Sequence, residues 1–220
     1  MPKNSKPEPT QQQHQSPREE VANAATHGIG AALAIAGLVV LVVFASLQRD
    51  PWKVVSFSVY GTSLVLLYLA STLYHSFRAP KLKKFFRQMD HAMIYVLIAG
   101  SYTPLMLVLL RDAWGWSMFG IVWGLAAAGV TMKMLFIGRF KVVSILVYLA
   151  MGWMIVIAWK PMLTVMPTGL LTWIAIGGAC YTLGVVFYAW RTFPYHHTVW
   201  HLFVLGGSIS HWIGMMLYVA

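Results

Sequence analysis

Tyr195-His196-His197-Thr198-Val199-Trp200-His201 stands at the mouth of the last long apolar run of the sequence. With residues 199–219 helical, His197 and His201 lie four residues apart on one face, the spacing at which two imidazoles grip one metal ion. Two ligands alone bind poorly. A zinc site takes at least three protein groups, so another histidine, with a carboxylate beside it, must come from elsewhere at the same depth. His75 and Asp90 are the candidates. Ser71 precedes His75 by four residues and so shares its helical face, where its hydroxyl either orients a ligand or a water or, as small hydroxyl residues more commonly do, packs a helix pair. Two other readings stand beside the metal on the histidine pair alone: an interfacial anchor for a helix end, or polar packing between helices.

The elements that must position these groups are membrane spans. The chain has 220 residues, 59% hydrophobic and 10% charged, against about a quarter charged in a soluble domain. Its net charge of +10 comes from basic residues in short loops between apolar runs, which argues against nucleic acid and for membrane topology. Cys180 is the single cysteine and lies inside an apolar run. An internal disulfide and a thiolate cluster are thereby excluded, and any metal must be held by nitrogen and oxygen.

Residues 1–17 are rich in Gln, Pro, Ser and Lys, and too poor in apolar groups to offset the entropy of ordering, so a disordered tail is expected. The first apolar run is long enough to span and is retained rather than cleaved as a signal peptide. Glu20, Asn23 and His27 form one helical stripe before it, either a polar face among headgroups or a brace against neighbouring helix ends. Seven apolar windows follow, over residues 29–47, 54–74, 93–110, 114–136, 142–159, 170–190 and 199–219. Each approaches the ~20 residues needed to cross the hydrocarbon core. An all-α bundle of seven transmembrane helices is expected, integral to the bilayer.

Placing the N-terminus in the cytoplasm puts twelve Lys and Arg on that side and leaves Arg49, Lys53, Arg111 and Lys160 outside. The C-terminus is then outside. In this topology His75 ends span 2, Asp90 opens span 3, and His197 with His201 opens span 7, all near the cytoplasmic face. Asp90 is explained there by a metal or a metal-bound water, or by pairing with Lys84 or Arg87. Thr103-Pro104 predicts a kink in span 3, because proline frees the carbonyl of Gly100. Gly206-Gly207-Ser208 predicts close helix packing.

Taken together, Ser71-x3-His75, Asp90, His197-x3-His201 and Glu20-x2-Asn23-x3-His27 resemble the hemolysin III branch of the progestin and adipoQ receptor family. The stretches Thr26-His27-Gly28-Ile29-Gly30, Ser71-Thr72-Leu73-Tyr74-His75 and Ala99-Gly100-Ser101-Tyr102-Thr103-Pro104 look like its bacterial members. The resemblance covers about residues 19–219. It implies a seven-helix fold with a cytoplasmic N-terminus in the bacterial inner membrane, and a zinc ion on His75, His197 and His201. It also implies Asp90 in contact with a water on that zinc, and Ser71 nearby. Relatives in the family have proposed ceramidase activity, and some bacterial members are linked to membrane homeostasis.

The chemistry expected from these residues is zinc-dependent hydrolysis of a lipid amide or ester, with a membrane lipid as substrate or ligand. Asp90 takes a proton from a water acidified by the metal, and the metal polarises the carbonyl. The rival expectation is a non-enzymatic sensor or hemolysin-type membrane-perturbing protein, in which zinc only ties spans 2 and 7. A cytolytic pore is not visible as a continuous polar stripe. A retinal pump is excluded, because the last span carries no lysine.

Overall fold

The computed structural model describes residues 15–136, 139–190 and 192–220, and among these the chain is helical with no strand. The expected tail over residues 1–14 lies outside the described residues. Ser16 and Pro17 begin α1 (Pro17–Leu47), where a capping box joins Ser16 to Glu19 in both directions and proline takes the first helical position. At 31 residues α1 is roughly 46 Å long by its rise per residue, well beyond a ~30 Å hydrocarbon core. Its first turns therefore extend past the span, and Asn23 and His27 are buried there against other helices rather than facing headgroups.

Asp50 caps α2 (Pro51–Ser76) through the backbone of Trp52 at 2.9 Å, so only a short turn separates α1 from α2 and the two pack as antiparallel neighbours. The third helix, α3 (Pro80–Pro104), packs on α2. Beyond Pro104 the chain does not simply bend. Residues Leu105–Leu109 take π geometry, with Leu110 N–H donating to Leu105 O at 3.1 Å. Proline removes one α-type bond, and the wider turn re-satisfies the ladder one residue further on. Trp123 Nε1 donates to Thr103 Oγ1 at 3.1 Å and fastens α4 (Ala113–Leu135) to this point.

The window over residues 142–159 does not form the single straight span expected. It runs as α5 (Lys141–Gly152), a 3₁₀ turn (Met154–Val156) and α6 (Trp159–Val165), bent by 54° at the break. Pro161 in α6 cannot donate a backbone bond, and Tyr102 supplies what the break leaves open. Its hydroxyl donates to Gly152 O at 2.9 Å and accepts from Ile155 N–H at 2.8 Å.

The chain continues as α7 (Thr168–Ala189) and α8 (His196–Tyr218), which pack on each other, and α8 returns to α1. The Gly206-Gly207-Ser208 stretch is the close approach its residues suggest. A side chain at Gly207 would meet the Tyr181 ring at 2.8 Å, while Ser208 Oγ accepts from Tyr68 at 2.7 Å and bonds Tyr181 at 2.9 Å.

Among the described residues, five helices are long and apolar enough to cross a membrane, or six if the bent pair counts as one span. α8 is long enough at 23 residues but less apolar, because it carries His196, His197, His201 and His211. The fold is that of a multi-pass membrane protein.

Candidate metal centre

Three elements build the centre. α2 ends with Ser71 and His75 one turn apart, both buried. α8 begins at His196, just after Tyr195 takes a left-handed backbone (φ 60°), and presents His197 and His201 from its first two turns. α1 lies between them and packs against both. The turn into α8 is held from α1, since Glu19 Oε1 accepts the backbone N–H of Tyr195 at 2.8 Å.

The structure brings His75, His197 and His201 together, with ligand-type nitrogens from all three within 4.8 Å of one another. The rings of His75 and His197 lie 5.1 Å apart, those of His75 and His201 5.2 Å, and those of His197 and His201 4.7 Å. In each residue Nε2 is buried and has no hydrogen-bond partner among the described residues. The other nitrogens of His75 and His201 are engaged. His75 Nδ1 lies 2.7 Å from Glu20 Oε2, and His201 Nδ1 lies 3.2 Å from Thr26 Oγ1.

Three clustered imidazoles, each with one partnerless nitrogen among the described residues, fit a divalent metal that favours nitrogen, and leave a position open for a further ligand. As an empty polar cluster they would be costly, because a buried unsatisfied group costs about 1–3 kcal/mol. Ser71 Oγ is likewise buried and unpartnered, one helical turn from His75.

Asp90 is buried on α3 and is not one of the clustered ligands. Its carboxylate lies 3.6 Å from His91 Nδ1, which itself lies 2.8 Å from Arg87 O. Asp90, His27 and Trp200 line an apolar cavity of about 200 Å³ whose wall also includes His211 and Met215. Of the remaining histidines, His91, His196 and His211 stand outside the cluster.

What residue types and spacing did not reveal is the contribution of α1. The stripe of Glu20, Asn23 and His27 turns inward: Asn23 Oδ1 accepts from Thr198 Oγ1, and the His27 ring stacks on His201 at 3.5 Å with the planes 7° apart. Glu20 also holds Lys83 Nζ at 2.9 Å through its other oxygen. The i, i+3, i+7 spacing showed that the stripe faced something, but not which residues it faced.

Comparison with known proteins gives the family of the chain. The family model described as Haemolysin-III related matches residues 15–212. The chain is 45% identical over 202 residues to Hemolysin-3 of Bacillus cereus, covering 92% of each. It is 44% identical over 201 residues to the Hemolysin-3 homolog of Bacillus subtilis (strain 168), covering 91% of this chain and 94% of the relative. To the Monocyte to macrophage differentiation factor of Homo sapiens it is 31% identical over 210 residues, covering 91% and 84%. The hemolysin III resemblance carried by the spaced Ser, His, Asp and Glu-Asn-His motifs is therefore borne out, and the chain belongs to the Haemolysin-III related family.

Proposed function

We propose that this protein binds zinc through His75, His197 and His201 and hydrolyses a lipid amide or ester within the membrane. The single observation that carries the reading is the clustering of three imidazoles with ligand-type nitrogens within 4.8 Å of one another, each ring also having a buried Nε2 without a partner among the described residues. Zinc held there supplies a Lewis acid that polarises a carbonyl and acidifies water. The residues of the chain do the rest. The apolar cavity, which Asp90 lines, accepts an acyl chain, a wall chemistry suited to a lipid. Asp90, at the cavity's wall and buried, accepts a proton on its carboxylate. Ser71 Oγ, without a hydrogen-bond partner among the described residues, positions water or substrate beside His75.

The topology belongs to the same proposal. α8 and the bent α5–α6 pair each cross the bilayer, giving seven spans in the inner membrane with the N-terminus cytoplasmic. The end of α2 with His75, the first turns of α8 with His197 and His201, and Asp90 well inside α3 then lie toward the inner leaflet.

A second reading keeps the metal and drops the hydrolysis. α2 and α8 each pack along α1, so an ion shared by His75, His197 and His201 would act as a cross-link between them. The protein would then be a sensor or a membrane-perturbing hemolysin with structural zinc.

Asp90→Asn separates the two. Purified wild type is expected to contain one zinc per chain by elemental analysis and to release fatty acid from a panel of ceramides and lysolipids. The Asp90→Asn variant is expected to keep its zinc and to lose at least ~100-fold in turnover. Wild-type protein that carries zinc yet cleaves none of the panel, with unchanged lipid profiles in cells making the variant, would leave the cross-link as the function. Protein prepared without chelators that holds no metal would remove both.

A further inference from the structure

We propose that Glu20, oriented by Lys83, is a positioning residue for the metal centre: it fixes His75 with Nε2 turned toward the ion and raises the affinity of the whole site. The inference rests on the zinc reading above and deepens it.

A carboxylate only accepts hydrogen bonds here, so the 2.7 Å contact requires the proton of His75 on Nδ1. The lone pair of a neutral ring is then on Nε2, the buried atom without a partner. One contact thus sets both tautomer and ring orientation. The negative charge also increases the electron density that the ring offers, as carboxylates behind metal-bound histidines do.

Glu20 is itself held. Its Oε1 accepts from Lys83 Nζ at 2.9 Å, and Lys83 also donates to Tyr74 O at 3.3 Å while lying over the Tyr74 ring. The ammonium is therefore anchored to the last turn of α2, next to the histidine whose partner it restrains. This joins three helices at one carboxylate: α1 supplies Glu20, α2 supplies His75, and α3 supplies Lys83.

An equivalent device stands behind His201. Thr26 uses its hydroxyl proton on the carbonyls of Ala22 and Asn23, at 2.9 and 3.0 Å, so toward His201 Nδ1 it accepts. His201 therefore also carries its proton on Nδ1 and leaves Nε2 bare. The acceptor behind His201 is neutral and that behind His75 is charged, which predicts that loss of Glu20 matters more.

The competing explanation is a brace that merely ties α1 to α2. Glu20→Gln distinguishes the two, because it keeps the size of the side chain and an oxygen acceptor but removes the charge. The measurements are zinc affinity of the full-length protein in detergent by competition with a chromophoric chelator, the visible spectrum of the cobalt-loaded protein, and thermal unfolding of the metal-free form. Glu20→Gln is expected to weaken zinc roughly 10- to 100-fold, to change the cobalt bands, and to leave metal-free unfolding near that of wild type. Glu20→Asp should recover part of the affinity, and Lys83→Met should weaken it less than Glu20→Gln does. Unchanged zinc affinity in Glu20→Gln, with or without a loss of metal-free stability, would overturn the proposal. Failure of wild type to bind zinc would instead overturn the metal reading itself.

Discussion

Ser71 is the residue at which chemistry and stability are most easily separated. Its hydroxyl is fully buried and bonds to nothing among the described residues, so the folded protein carries its desolvation cost without return. Ser71→Ala removes the hydroxyl and almost no volume. Metal-free protein is expected to gain about 1 kcal/mol, or at least not to lose stability. Turnover should fall if the hydroxyl serves the reaction. Chemical unfolding beside a hydrolysis assay checks both, and a stability loss would mean that Ser71 has a structural partner. At this scale the sequence was legible where two residues share one helix. The i, i+4 spacing of His197 with His201, and of Ser71 with His75, marked a common face before any fold was known. The Glu20–His75 and Thr26–His201 contacts join residues 55 and 175 positions apart, which no local period reports.

Whole helices were more legible than their interruptions. Six of the seven apolar windows fall almost wholly within continuous helical stretches, because hydrophobic length is read directly from composition. Pro104 signalled a disturbance in α3, though not that a π turn would absorb it. The break after α5 carried no such warning: the window over residues 142–159 is apolar almost throughout, and its proline lies just beyond. The bend is stabilised from another helix, by a phenol bonding the two backbone groups that the break exposes. Tyr102→Phe is therefore expected to cost about 1–3 kcal/mol, since it strands the buried Ile155 N–H and leaves the Gly152 carbonyl without this partner. Hydrogen exchange should rise around residues 152–158 before it rises elsewhere. Tyr60→Phe is the matched control, because the Tyr60 hydroxyl is buried without a partner among the described residues, and its loss should be neutral or stabilising.

At the scale of the molecule, the proposed metal, shared by α2 and α8, would couple the first helices of the bundle to the last. A ligand that binds only the folded state stabilises it by about 2.7 kcal/mol when present at a hundred times its dissociation constant. For a chain of this length that corresponds to a rise of roughly 5–10 °C in unfolding temperature. Adding zinc to stripped wild type should produce this shift, and adding it to His201→Ala should not. Equal shifts in both would place the stabilising ion elsewhere.

The same scale decides the topology, and parity makes the test sharp. Five clear spans, a bent pair and the histidine-rich α8 allow seven crossings only if both of the weaker elements traverse the bilayer. An odd number puts the termini on opposite sides, and an even number puts them together. The twelve-to-four division of Lys and Arg predicts which side each terminus takes. With Cys180→Ser as background, single cysteines introduced by Ser5→Cys and Ala220→Cys can be probed with a membrane-impermeant maleimide on intact spheroplasts. Residue 220 should react from outside and residue 5 only after lysis. Arg111→Cys and Arg78→Cys, in two different connections, should behave as residues 220 and 5 respectively. If both termini react only after lysis, one weak element fails to cross. Should that element be α8, whose imidazoles lower its hydropathy, then His197 and His201 enter the membrane from one side without reaching the other. The metal would sit in a re-entrant hairpin rather than at the end of a span. If residue 5 instead reacts from outside, the histidine cluster faces the periplasm, and any lipid it acts on must come from the outer leaflet.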